Sequence, residues 1–298
     1  MKVEFWKMQA TGNDFVLVDE WKNEVLSKRL KPIFAKHVCR ENYSVGADGV
    51  MFISRPTLEG FEMRIEIFMP DGSESEMCGN GVRCAVRFGL DRETIPHADC
   101  VRVQSKAGKI QTYPHALDRE IRSVTVDFGK PQLRREKIPA AGKGNFLLEK
   151  MSVPGIGMME LSAVNTGVPH AVVIVPDIDS EDVAVKGRAI RNFTTMFPRG
   201  VNVDFAQTHK NGVKIRTYER GVEAETLSCG TGAAASATIA FLANRLPARR
   251  IGVDTRGGRL VAQLLGRRNK VDRVLVEGPV EKVFEGELEF QTMKKGTD

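Results

Sequence analysis

Two stretches decide how this chain is read: EMCGNGVRCAVRF (76–88) and LSCGTGAAASATIAFLAN (227–244). Each sets Cys-Gly-polar-Gly at the entrance of an apolar segment of helical length. The cysteines, at 78 and 229, lie 151 residues apart in a chain of 298, about half its length. Gly232–Asn244 is small and apolar on almost every face, and a helix apolar all round is a buried helix. Gly81–Phe88 is its shorter counterpart. The chain is therefore expected to contain two similar halves, each built of strands around one helix whose N-terminus carries a cysteine. We set the halves at 1–122 with 279–298, holding Cys78, and 123–278, holding Cys229.

Working outward, short runs rich in Val, Ile and Phe predict strands. They are Phe15–Asp19, Gly49–Ile53, Met63–Phe68, Val101–Gln104, Ser123–Phe128, Ala171–Val175, Val213–Tyr218 and Val274–Glu277. Further helices are expected over Asn23–Ala35 and Val183–Arg191. The Gly- and Pro-rich stretch Lys130–Gly157 reads as irregular.

Composition sets outer bounds. With 42% hydrophobic and 28% charged residues the chain is of the globular class, and its length suits two domains. No apolar run approaches the roughly 18 residues that span a bilayer, and the N-terminal MKVEFWKMQATGNDF lacks a signal-peptide core. No membrane role is expected. Five scattered cysteines argue against a secreted disulfide framework and for a reducing cytoplasm, so the sequons at Asn42 and Asn192 read as chance. A net charge of +6 suits anionic small molecules. The basic segments RLPARR (245–250) and GRRNKVDR (266–273) have no interleaved aromatics, so they read as solvated surface and no nucleic acid is expected.

The repeated turn carries the chemistry. A helix N-terminus offers backbone N–H groups and partial positive charge to an anion, and it stabilises a thiolate placed there. Gly230-Thr231-Gly232-Ala233-Ala234-Ala235 formally fits a dinucleotide fingerprint, but a polar run precedes it where a hydrophobic strand is required. Cys78 and Cys84 lack a second pair at zinc-ligand spacing, so no metal is expected. A Cys–His hydrolase would use one such cysteine and leave the other unexplained. Two thiols suit inversion of a stereocentre beside a carboxylate: one removes the α-proton, the other returns a proton to the opposite face, and no cofactor is needed. Cys39, Cys84 and Cys100 read as packing residues.

The segments KMQATGNDFVLVD (7–19), VGADGVMFI (45–53), PDGSESEMCGNGVRCAVRF (70–88), VNTGVPHAVV (164–173), GVNVDF (200–205) and RTYERGVEAETLSCGTGAA (216–234) together resemble diaminopimelate epimerases, which work without pyridoxal phosphate. The resemblance implies a mixed α/β fold of two pseudo-symmetric domains, each a mostly antiparallel sheet or barrel around a central helix, with the site in the cleft between them. It implies a homodimer, and Cys78 and Cys229 as the acid/base pair. Gly79, Asn80, Gly230 and Thr231 would hold the reacting carboxylate. Glu219 would face the α-ammonium, Arg220 the distal carboxylate, and Asn13 and Asn202 would touch substrate. His170 would tune one thiol and Glu219 the other. Met69 and Val168 replace asparagines common in the family at the distal end of the substrate. The expected activity is therefore epimerisation of LL-2,6-diaminopimelate to the meso form, with racemisation of another α-amino acid such as histidine as the alternative.

Overall fold

A computed structural model describes residues 1–118 and 120–291. In chain order its elements are β1 (Lys2–Ala10), β2 (Asn13–Asp19), α1 (Lys31–Val38), β3 (Gly49–Ser54), β4 (Met63–Phe68), β5 (Glu74–Ser75), α2 (Gly79–Asp91), β6 (Val101–Ser105), β7 (Gly108–Leu117) and β8 (Glu120–Asp127). There follow a 3-10 turn (Arg135–Lys137), β9 (Glu149–Val153), β10 (Gly157–Asn165), β11 (Pro169–Ile174), α3 (Val183–Arg191), β12 (Asn202–His209), β13 (Gly212–Glu219) and β14 (Ala224–Thr226). The last are α4 (Gly230–Leu242), β15 (Arg250–Thr255), β16 (Gly258–Leu265), β17 (Arg273–Pro279) and β18 (Glu281–Glu289). Two compact units result: Met1–Val124 with the stretch from Val280, and Thr125–Pro279.

The two units repeat one pairing scheme. In the first, β1 is antiparallel to β2, β2 parallel to β3, β3 antiparallel to β4, and β4 antiparallel to the short β5. The chain then enters α2, returns as β6 parallel to β4, and closes with β7 antiparallel to β6. In the second, β10, β11, β12, β13, β14, α4, β15 and β16 repeat that order and those directions. β18 extends the first unit along β1, and β9 extends the second along β10.

Each central helix is enclosed. Every residue of α4 from Gly230 to Ala240 is buried, as is every residue of α2 from Gly79 to Leu90. α4 packs its alanines against Val164, Val172, Ala206, Val213, Ile215, Val253, Leu260, Ala262 and Val276, which come from seven strands. Small side chains let those strands close round it. α2 instead buries two arginines. Arg87 is paired with Asp91 at 3.0 Å and Glu120 at 2.8 Å.

Two expectations are corrected. The helix expected over Asn23–Ala35 begins only at Lys31, because Pro32 lacks an N–H and fits the first helical turn, not a helix interior. Within Lys130–Gly157 the structure holds the 3-10 turn and β9, a strand that pairs with β10 from Leu161 to Gly157. Among the described residues no helix is long and apolar enough to cross a membrane.

Candidate active site

In the second unit, sheet register assembles the site. β11 and β12 run parallel with His170 opposite Asn202, and Asp204 lies two residues on, hence on the same face. Thr217 of β13 stands opposite Asp204, and Glu219 lies two residues beyond it. This polar file meets the first turn of α4. His170 is fully buried; its Nδ1 lies 2.7 Å from Asp204 Oδ2 and its Nε2 2.9 Å from Thr231 Oγ1. Asp204, also fully buried, accepts from the Thr217 hydroxyl at 2.7 Å through Oδ1.

Cys229 caps α4. Its extended backbone lets Sγ accept the Gly232 N–H at 3.4 Å, and Sγ lies 3.3 Å from Thr231 Oγ1 and 3.9 Å from Glu219 Oε1. Burial raises this thiol well above its ordinary pKa, and the negative charges of Glu219 and Asp204 raise it further. The hydrogen bonds from Thr231 and the Gly232 amide work in the other direction.

Cys78 caps α2 in the first unit with nearly the same backbone angles, φ −139° and ψ 115° against −131° and 114°. Its Sγ accepts the Gly81 N–H at 3.4 Å and faces Asn13 Oδ1 at 3.5 Å. Asn80 Nδ2 donates to the same Asn13 oxygen at 3.4 Å, and Asn13 Nδ2 donates to Asp48. Behind this turn Arg83, 1% exposed, donates to Thr11 Oγ1 at 3.0 Å, and burial lowers its guanidinium pKa to about 10.

Of the residues expected from sequence, Asn13, Gly79 and Asn80 gather around Cys78, and His170, Asn202, Glu219, Gly230 and Thr231 around Cys229. His170 and Glu219 both stand on strands of the second unit: His170 Nε2 lies 2.9 Å from Thr231 Oγ1, and Glu219 Oε1 lies 3.9 Å from Cys229 Sγ. The Arg220 backbone N–H donates to Asn202 Oδ1 at 2.8 Å, and its guanidinium donates to the Arg199 carbonyl at 3.1 Å. Met69 begins the turn from β4 to β5, and Val168 lies in the β10–β11 turn, whose Gly167 faces the Thr231 methyl. Asp204, Thr217 and Arg83 were not foreseen. The polar pair Asn202 and Asp204 two apart in an apolar strand, VNVDFA, is the signal that marks Asp204. Among the described residues no group of three or more His, Cys, Asp or Glu is arranged to hold a metal.

The sequence profile of diaminopimelate epimerases matches residues 5–134 and 162–283. A diaminopimelate epimerase of Methanocella arvoryzae is 42% identical over 296 residues, 97% of each chain. One of Archaeoglobus fulgidus is 37% identical over 99% of each. Among solved structures, a probable proline racemase from Agrobacterium radiobacter superposes with a TM-score of 0.71 over 98% of this chain and 94% of its own. At 14% identity that likeness speaks for the fold alone. Two capped cysteines on a repeated scaffold and near-full-length relatives agree: the chain belongs to the diaminopimelate epimerase family of isomerases.

Proposed function

We propose that this enzyme interconverts LL- and meso-2,6-diaminopimelate without a cofactor, by proton transfer between the substrate α-carbon and two cysteines. One thiolate takes the α-proton: the C–H bond breaks, an S–H bond forms, and charge spreads onto the adjacent carboxylate. The other cysteine, present as the thiol, returns its proton to the opposite face. The amides heading α2 and α4, those of Gly79, Asn80, Gly230 and Thr231, would hold the carboxylate as its charge grows. Such donors contribute roughly 3–4 kcal/mol each in other enzymes. In this reading Glu219 meets the α-ammonium, Arg220 the distal carboxylate, and Asn13 and Asn202 orient the substrate. We assign the enzyme to the cytoplasm, where its five free cysteines stay reduced, and read it as a homodimer.

The observation that carries the reading is the pair of N-cap thiols, one in each unit, each accepting the amide three residues on at 3.4 Å. A single nucleophile would not require the second. The test is proton NMR in D₂O under reductant, following the α-proton of LL-diaminopimelate beside histidine, lysine, glutamate and proline. Washout from diaminopimelate, abolished in Cys78→Ala and in Cys229→Ala, is expected. Washout from another amino acid alone would keep the chemistry and overturn the substrate; exchange that survives both substitutions would overturn the two-thiol mechanism.

A further inference from the structure

We propose that Arg83 is a positioning residue for Cys78: a guanidinium buried in the first unit without a carboxylate partner, whose charge is balanced when the Cys78 sulfur becomes a thiolate. The proposal deepens the two-thiol reading above and rests on it.

Arg83 is the fifth residue of α2, the helix that Cys78 caps. Its Nη2 donates to Thr11 Oγ1 at 3.0 Å, and its buried Nε has no hydrogen-bond partner among the described residues. No described carboxylate lies within ion-pair distance of it or acts on its charge. Arg87, one turn further on, has two such partners, Asp91 and Glu120. A buried charge without a counter-ion is unfavourable, and a cation near the positive end of a helix is doubly so. An anion at the cap of α2 would relieve both.

Two thiols feel the charge of Arg83. Cys84 is fully buried and burial pushes it up to about 12, so it keeps its proton. Cys78 is only half-buried, and its sulfur already accepts the Gly81 N–H at 3.4 Å. The other charges around this turn are Lys7 of β1, Asp14 of β2, Asp48 just before β3, and Glu76. Asp14 is paired with Lys7 at 2.6 Å, and Asp48 accepts from the Asn13 side chain and, at 3.1 Å, from the Asp14 backbone N–H. Asp48 and Glu76 are exposed and Asp14 is partly so, and water screens such charges. The guanidinium of Arg83, enclosed in the unit, keeps its influence on the sulfur.

The repeated scaffold shows that the fold does not require this arginine. Five residues after Cys229, α4 carries Ala234, fully buried. The turns leading into β2 and β11 both contain Thr-Gly, at 11–12 and 166–167. Thr166 donates directly to the Thr231 carbonyl of α4 at 2.9 Å, so that junction of turn and helix is made without a cation. In the first unit the Thr11 hydroxyl donates to the Ala10 carbonyl at 2.8 Å, and its lone pair receives Arg83. The same turn leads to Asn13, whose Oδ1 faces the Cys78 sulfur at 3.5 Å. One hydrogen bond thus fixes the guanidinium behind the turn that meets the thiol.

The test reads the ionisation of Cys78 without substrate. Iodoacetamide labelling of Cys78 and Cys229 is followed by mass spectrometry between pH 6 and 10 in wild type, Arg83→Met, which keeps the length without the charge, and Arg83→Lys, which keeps the charge. In wild type the Cys78 midpoint should lie below the value of about 8.5 of an ordinary cysteine. In Arg83→Met it should rise by about one pH unit, which slows labelling at neutral pH about tenfold and leaves the limiting rate of the ionised thiol unchanged. Arg83→Lys should hold the midpoint close to wild type, and Cys229 should label alike in all three. A merely structural arginine would change the limiting rate and leave the midpoint where it was. An unmoved midpoint in Arg83→Met, or one in Arg83→Lys as high as in Arg83→Met, would overturn the proposal. If Arg83→Met does not fold, the wild-type midpoint carries the test, and a value at or above the ordinary one overturns it. Because labelling needs no substrate, failure of diaminopimelate to exchange its α-proton would overturn the function and leave the role of Arg83 at Cys78 to be judged by itself.

Discussion

Gly81 and Gly232 hold the same place in the two units, the third residue of a buried helix, three after the capping cysteine. They face different neighbours. A Cβ on Gly232 would lie 2.5 Å from Asp204 Oδ1 and 3.2 Å from Thr217 Oγ1. Asp204 cannot retreat, because both its oxygens are engaged, by Thr217 and His170. A Cβ on Gly81 would lie 3.0 Å from the Met51 sulfur, the movable end of a flexible side chain. Alanine also favours a helix over glycine by about 1 kcal/mol, which acts in both units. Gly232→Ala is therefore expected to lose roughly 1–3 kcal/mol, as overpacked cores do, together with most α-proton exchange. Gly81→Ala should be close to neutral in stability. Urea midpoints and D₂O exchange measured side by side check this; equal losses would mean that Asp204 yields as easily as Met51.

At the scale of elements, α1 shows how a short helix can be fixed by one buried cation. Lys31, 3% exposed, sets its Nζ 2.6 Å from Glu20 and 2.7 Å from Glu66, over the Phe52 ring. Burial pulls this ammonium down, but the hydrogen bonds and charges of the two carboxylates more than reverse it, so its pKa ends above 10.5. A folded-state value above the unfolded one gives a contribution that is complete below 10.5 and lost only as pH rises past the folded value. Lys31→Met should cost about 3–5 kcal/mol near neutrality, since it strands two buried carboxylates. It should fall toward the lower figure because Arg64 still reaches Glu66 at 3.0 Å. The gap between wild type and variant, read from urea midpoints, should stay constant from pH 7 to 10. The same element marks a limit of sequence reading, for only the position of Pro32 separates the true start at Lys31 from an earlier one. Apolar runs located the central strands, because strands covered on both faces are largely apolar, and Met63–Phe68 is matched to the residue although Arg64 and Glu66 interrupt it. β1, β16 and β18 escaped because polar residues break up their apolar runs, as partly exposed strands allow. The capping cysteines were legible because a rare tetrapeptide recurs. His170 against Asp204 was not, since strand register joins residues 34 apart in sequence, and the charge of Arg83 gave no hint that α2 buries it.

Across the whole molecule, the free thiols couple stability to pH in both units. Burial pushes Cys39 and Cys84 of the first unit up to about 12, and Cys229 of the second is raised well above its ordinary value. For each, the folded state holds its proton where the unfolded chain, titrating near 9, has lost it. The contribution of each thiol is therefore complete below 9 and declines through the interval up to the folded value. Within that interval each thiol can remove up to about 1.4 kcal/mol per pH unit. Arg83 acts with the opposite sign, because burial lowers it to about 10, so its relief of the folded state begins only there. The thiol effect is thus isolated between pH 8.5 and 10, where Lys31 also remains charged. Wild-type urea midpoints should be flat from pH 7 to 8.5 and fall steeply from 9 to 10. Cys39→Ala with Cys84→Ala should start from a lower midpoint, owing to the cavities, yet decline less steeply over the same interval, leaving the slope that belongs to Cys229. A wild-type midpoint that held level to pH 10 would mean that these thiols ionise as readily in the folded protein as in the unfolded chain.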